Sequence, residues 1–133
     1  MKRLVIAYVV TLIVFCGLDF GWLTVTTPLL YAPDIGPLMA AKPNMAAAVA
    51  FYLMFMVGLV VFAIAPGLDR GGVRGAAMRA ALFGLIAYGT YDLTSLAVLR
   101  GFTLRLTVAD MAWGAVVSAI AVSAGFVAAR RLG

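Results

Sequence analysis

The chain has 133 residues, of which 65% are hydrophobic and 11% are charged, and it contains no histidine. Soluble domains carry about 25% charged residues, so this composition excludes an ordinary soluble globular protein. The lack of histidine excludes zinc-protease helices, histidine-based acid–base pairs and haem ligation by imidazole. The net charge of +5 does not indicate a nucleic-acid partner, because the basic residues are spread over every predicted helix end.

Four apolar stretches each approach or exceed the ~20 residues that a helix needs to span a bilayer. They run approximately over residues 4–27, 45–65, 76–99 and 107–129. We therefore predict an all-α integral membrane four-helix bundle, a single transmembrane domain over residues 1–133. Lys2 and Arg3 precede the first stretch, as in a signal peptide, but no small-x-small cleavage site follows it. The first helix is therefore predicted to be retained.

Three connections join these stretches. Residues 28–44 (PLLYAPDIGPLMAAKPN) are rich in proline and too apolar for a free loop. They are predicted to lie on the membrane surface as a short bent segment, with Tyr31 at headgroup level. The second connection, PGLDRGGVRG, predicts a glycine-rich turn. The third, RGFTLRLT, is short enough to join the last two helices as an antiparallel hairpin.

Basic residues are distributed unequally between the two ends of the predicted bundle. Seven lie at the end that carries both termini, and three lie at the other end. We call that other end, which carries residues 28–44 and 100–107, the distal end. The positive-inside rule then predicts both termini in the cytoplasm and the distal end outside. The seven are Lys2, Arg3, Arg70, Arg74, Arg79, Arg130 and Arg131, and the three are Lys42, Arg100 and Arg105.

Three of the five acidic residues, all aspartates, lie inside the apolar stretches. A carboxylate at membrane depth costs at least a few kcal/mol, which makes each of them a candidate functional residue. At 1.5 Å per residue, Asp19 lies about 22 Å along the first helix, and Asp92 lies about 20 Å along the third helix from Arg79. Asp110 stands about one turn inside the distal end of the fourth helix. The three carboxyl groups are therefore predicted to converge within about 10 Å in the distal third of the bilayer.

Polar and aromatic residues accompany these aspartates at helical spacing. Two D-x-x-W pairs place an indole one turn from a carboxylate, an arrangement suited to a cation or a polar headgroup: Asp19 with Trp22, and Asp110 with Trp113. Asn44, at the distal end of the second helix, lies at the same level. One face of the third helix, which follows the i, i+3, i+4, i+7 pattern, carries Tyr88, Tyr91, Asp92 and Ser95. We predict the three aspartates as catalytic residues, and the two tyrosines, the two tryptophans, Asn44 and Ser95 as substrate-binding residues.

Structural roles are alternatives for several of these residues. Aromatic residues near the distal boundary are also typical of an interfacial belt. Asp110 lies close enough to a helix N-terminus to interact with the helix dipole, with Thr107 as the expected N-cap. Asp19 or Asp92 could pair with a basic residue of the distal end. The carboxylates could also hold a divalent cation, although the sequence assigns no metal ligands and identifies no cofactor.

Four motifs are similar to those of a known family. They are YGTYDLT at 88–94, DMAWG at 110–114, D-x-x-W-L at 19–23 and P-N-x-x-A-A-x-x-F-Y-L at 43–53. Over nearly its whole length the chain resembles domain-of-unknown-function family 2177, although Ser95 stands where the family pattern has Asn. The resemblance implies a four-helix, multi-pass protein of the bacterial inner membrane, with no assigned activity.

Three classes of function fit these features. The first is an intramembrane enzyme or enzyme subunit that acts on a lipid or isoprenoid, with the carboxyl groups as general acid and base. The second is a small proton-coupled transporter, which implies a homo-oligomer. The third is a non-catalytic protein that binds a small molecule or an assembly partner. Because the carboxylates lie off-centre, the sequence favours a site that is open on one side over alternating access.

The predicted topology is tested by fusing a reporter that is active only in the periplasm after Gly133. We expect the fusion to be inactive, because the basic residues place the C-terminus in the cytoplasm. The same reporter inserted after Gly101, in the third connection, serves as the positive control. An active reporter after Gly133 would overturn the predicted orientation.

Overall fold

The computed structural model describes all 133 residues and contains helices and no strand. Four helical segments are each long and apolar enough to cross a membrane. They are α1 (Lys2–Leu38), α2 (Met45–Asp69), α3 (Gly72–Val98) and α4 (Leu104–Leu132). This arrangement confirms the predicted all-α membrane fold.

Helix α1 continues where the sequence predicts a surface segment. Thr27–Tyr31 forms a π-helical turn, and α-helical and 3₁₀ turns extend the helix to Leu38. Pro28 lacks an amide hydrogen, but the wider turn keeps the helix closed because the amide of Ala32 donates to the carbonyl of Thr27. Residues 28–38 are therefore helical and continue the first helix, and their position on the membrane surface stays a prediction. We call residues 27–38 the distal strap.

The distal strap is attached to the beginning of α4. The carboxylate of Asp34 accepts two hydrogen bonds from the guanidinium of Arg105, at 2.6 Å from Nη2 and 2.9 Å from Nε. The same carboxylate accepts a hydrogen bond of 2.5 Å from the hydroxyl of Thr103. Ile35 packs against Phe102 and Leu106 beneath these polar contacts. The strap therefore lies over the distal end of the bundle in a fixed position.

Small residues bring α1, α3 and α4 into close contact from the middle of the bundle toward the end that carries the termini. A Cβ atom on Gly84 of α3 would lie 2.3 Å from the carbonyl oxygen of Gly114 in α4. A Cβ atom on Gly125 of α4 would lie 2.0 Å from the hydroxyl oxygen of Thr11 in α1. Close packing of this kind is the main source of helix association in lipid, where no hydrophobic drive is available. Between these contacts and the termini, the interior is packed with buried apolar side chains such as Phe126.

Helix α2 packs differently along its length. Its π-helical segment Val60–Ile64 packs on α3, whereas Met45–Leu59 packs mainly on α1. The last ring contact between α2 and α3 toward the distal end joins Phe55 to Tyr88, with the ring centroids 6.2 Å apart. Beyond Phe55 the two helices diverge, and the space between them becomes the cavity described below.

Substituting Gly84→Ala should destabilise the bundle by about 1–3 kcal/mol, because the new methyl group meets the backbone of α4. The matched control is Gly17→Ala in α1, where a Cβ atom has no neighbour within 4 Å. The measurement is thermal unfolding of both variants in one detergent, followed by helical circular dichroism. Equal midpoints for the two variants would contradict the close contact between α3 and α4.

Candidate functional site

Asp19 of α1 is buried among donors from two other helices. The indole Nε1 of Trp113, in α4, donates to one carboxylate oxygen at 3.0 Å. The hydroxyl of Tyr52, in α2, donates to the other oxygen. The side chain is 6% exposed, so these two bonds replace the hydration that a carboxylate loses inside a membrane. Asp19 therefore joins three helices through one charged group.

Asp110 of α4 is bound by a residue from the distal strap. The hydroxyl of Tyr31 donates to its carboxylate and in turn accepts a hydrogen bond of 2.9 Å from the indole Nε1 of Trp22. Charge-assisted hydrogen bonds of this kind are about twice as strong as neutral ones. The strap thus places Tyr31 as the donor that stabilises Asp110.

The two tryptophans of the chain stack on each other between the aspartates. The rings of Trp22 and Trp113 are 4.7 Å apart at their centroids and 5° from parallel. Trp113 donates to Asp19, and Trp22 reaches Asp110 through Tyr31. The stack therefore couples the two carboxylates into one network of side chains.

Asp92 of α3 lies behind Asp110 and is fully buried. Its carboxyl group adjoins that of Asp110. Neither of its oxygen atoms receives a hydrogen bond from a donor in the protein. Two adjacent carboxylates repel each other, and such a pair is stabilised by a shared proton or by a cation. Asp92 and Asp110 therefore form a carboxyl pair of which only Asp110 faces the cavity.

A cavity of about 390 Å³ contains the carboxyl groups of Asp19 and Asp110. Its walls are mostly apolar or aromatic, and no basic side chain lines it. Three of its lining residues are also 39–54% exposed on the outside of the bundle, namely Leu23, Phe51 and Tyr91. The cavity therefore opens sideways, between α2 and α3, on the outer surface of the bundle. Its lining consists of Asp19, Leu23, Tyr31, Ala48, Phe51, Tyr52, Ala87, Tyr88, Tyr91 and Asp110.

The structure places the other predicted site residues in different positions. Tyr88 and Tyr91 line the cavity, whereas Trp22 and Trp113 hold the carboxylate network and do not line it. Ser95 is buried on α3 outside the cavity lining. Asn44 was predicted to join the site, but its exposed side chain caps α2 by accepting a hydrogen bond of 3.1 Å from the amide of Ala47.

The structure also bears on the alternative roles of the aspartates, namely ion pairing, helix capping and metal binding. Arg105 pairs with Asp34 of the strap, and none of the three intramembrane aspartates contacts a basic side chain. Thr103, rather than Thr107, caps α4, since its side chain accepts a hydrogen bond from the amide of Leu106. The three carboxyl groups do not form a cluster that could hold a metal ion.

Two residues of the site, Tyr31 and Tyr52, were not predicted as site residues from the sequence. Tyr52 lies about two turns along α2 from Asn44, so its depth matches that of Asp19, and depth alone could have identified it. Tyr31 could not be found in this way, because residues 28–44 were predicted to be a short bent segment on the membrane surface.

These features define a multi-pass membrane protein of four helices with a polar site inside its apolar bundle. The chain belongs to the family described as "Predicted membrane protein (DUF2177)", which matches residues 4–127. A search of curated proteins and a search of solved structures each find no match.

The indole stack predicts a spectroscopic signal, because the chain has only two tryptophans and they are nearly parallel. Near-ultraviolet circular dichroism of the purified protein should contain a coupled tryptophan signal. That signal should disappear in Trp22→Phe and equally in Trp113→Phe, since either change removes one member of the pair. Tyr91→Phe, an aromatic change outside the stack, should preserve it. A wild-type tryptophan signal equal to the sum of the signals of the two single variants would contradict the stacked geometry.

Proposed function

We propose that this protein is an intramembrane enzyme, or a subunit of one, that performs acid–base chemistry on the polar end of a lipid or isoprenoid. The observation that carries the proposal is the cavity, in which two carboxyl groups line an apolar space that opens on the outer surface of the bundle between α2 and α3. Within a bilayer this opening faces lipid, and a water-soluble substrate does not partition into lipid hydrocarbon.

The lining of the cavity limits the substrate class. Its volume of about 390 Å³ accommodates a headgroup and a few carbon atoms, so the tail of a lipid would extend into the membrane past Phe51 and Tyr91. Two carboxyl groups without a basic neighbour repel a phosphate. They favour a headgroup with hydrogen-bond donors or a positive charge, and the surrounding aromatic rings add cation–π attraction.

The residues have distinct roles in this proposal. Asp110 transfers the proton, because it faces the cavity and adjoins a second carboxyl group. Asp92 acts through Asp110 as a positioning residue, since it is buried behind it. Asp19, oriented by Trp113 and Tyr52, binds the headgroup as a fixed carboxylate. Tyr31 supplies a hydroxyl group beside the reacting carboxyl group.

Transport is the second candidate, and the packing of the bundle is less favourable to it. The half of the bundle that carries the termini is closed by fully buried apolar residues, including Ala80, Val117, Ala121 and Val122. These side chains separate the cavity from the opposite face. A site that is accessible from one leaflet supports an enzyme or a binding protein more directly than alternating access.

The proposal is tested by comparing the lipid composition of cells with and without the protein, measured by mass spectrometry of whole lipid extracts. We expect one lipid or isoprenoid species to change with the wild-type protein. Asp110→Asn should abolish this change, because loss of a general acid–base group lowers a rate by about 10²–10⁴-fold. Asp92→Asn should weaken it, and Asp69→Asn, the same substitution at the opposite end of the bundle, should have no effect.

The other functions give different results in the same experiments. Unchanged lipids together with a proton flux in reconstituted vesicles, lost in Asp110→Asn, would replace the enzyme with a transporter. If neither the lipid composition nor the proton flux changes, the remaining candidate is a binding role. All variants are first checked for wild-type helical content.

A further inference from the structure

A second pocket lies at the end of the bundle that carries the termini, opposite the carboxylate site. Three arginines from separate parts of the chain line a cavity of about 240 Å³: Arg3 at the start of α1, Arg70 in the turn before α3 and Arg130 near the end of α4. Asp69 is the only acidic residue in the lining. The pocket therefore carries three positive charges and one negative charge within one concave surface.

The three arginines line one pocket, which distinguishes them from basic residues that only determine membrane topology. The positive-inside rule needs basic residues near helix ends but does not require them to surround one cavity. None of the three forms an ion pair with an acidic side chain. Their mutual repulsion is relieved by an anion, and guanidinium groups match the oxygen atoms of a phosphate through paired hydrogen bonds.

The turn at the base of the pocket contributes backbone rather than side chains. Gly71 and Gly72 line the pocket and have positive φ values of 102° and 64°, which only glycine adopts readily. No acidic residue stands in the first turn of α3. A Cβ atom on Gly72 would meet nothing within 4 Å, so the space above the turn is open. The backbone therefore leaves room for a ligand that the arginines attract.

The position of the pocket indicates the source of the anion. It lies where α1 begins at Lys2 and α4 ends at Leu132, that is, at the boundary of the apolar spans. Phosphate groups of the bilayer lie at this level, and basic pockets between transmembrane helices bind anionic headgroups there. We propose that the pocket of Arg3, Arg70 and Arg130 binds the phosphate of an anionic phospholipid. It is distinct in charge and place from the carboxylate cavity, so the two proposals stand independently.

Native mass spectrometry of the full chain in nanodiscs tests this proposal. In phosphatidylcholine nanodiscs with added phosphatidylglycerol, we expect the protein to retain phosphatidylglycerol selectively. The double substitution Arg3→Gln/Arg130→Gln should weaken retention about 100-fold, because two guanidinium groups no longer form charge-assisted hydrogen bonds with the phosphate. The matched control is Lys2→Gln/Arg131→Gln, which removes the same charge from residues next to the pocket, and it should retain the lipid. Arg70→Gln, in an exposed turn, provides a second variant if the double substitution lowers helical content.

Competition with inorganic phosphate distinguishes the two sources of the anion. Phosphate added to phosphatidylcholine nanodiscs should bind weakly and should not displace phosphatidylglycerol. If phosphate binds as tightly as the lipid and displaces it, the pocket serves a soluble anion and the lipid assignment is wrong. Equal losses of phosphatidylglycerol in the pocket and control variants would show diffuse attraction to the membrane surface and would overturn the site.

Discussion

A carboxylate inside hydrocarbon needs hydrogen-bond donors, a proton or a counter-ion, and the distal half of this bundle is organised around that need. Tyr52 and Trp113 supply donors to Asp19, and Tyr31 supplies one to Asp110. These donors come from three helical segments, so the carboxylates connect separate parts of the chain through hydrogen bonds. Loss of one donor would leave a buried charge exposed to the low dielectric of the lipid.

The distal strap follows from the same requirement. Tyr31 reaches Asp110 only because α1 continues past Pro28 and is attached to α4 through Asp34 and Arg105. This ion pair lies at the distal end, and a surface pair of this kind contributes little stability by itself. Its effect is to fix the direction of the strap, and with it the position of the tyrosine hydroxyl.

Hydropathy and charge distribution predict much of this arrangement from sequence. The four spans, the single depth of Asp19, Asp92 and Asp110, and the cavity face of Tyr88 and Tyr91 follow from helical periodicity and from the length of the apolar runs. The strap does not, since proline usually marks the end of a helix and nothing local shows that a π-helical turn will accommodate it. Helical periodicity also predicted that Asp92 lies on the same face of α3 as Tyr88 and Tyr91. It could not show that α4 covers Asp92 and leaves the two tyrosines at the cavity.

The central claim is that Asp19 and Asp110 lie in a cavity that is reached from the lipid. Carboxyl modification by a hydrophobic carbodiimide, dicyclohexylcarbodiimide, compared with a water-soluble carbodiimide on the protein in vesicles, tests this claim most directly. The modified residues are identified by peptide mass spectrometry. We predict that the hydrophobic reagent modifies Asp110 or Asp19 and spares Asp69, whereas the water-soluble reagent modifies Asp69 and spares both. Modification of Asp19 and Asp110 by the water-soluble reagent alone would contradict a lipid-facing cavity.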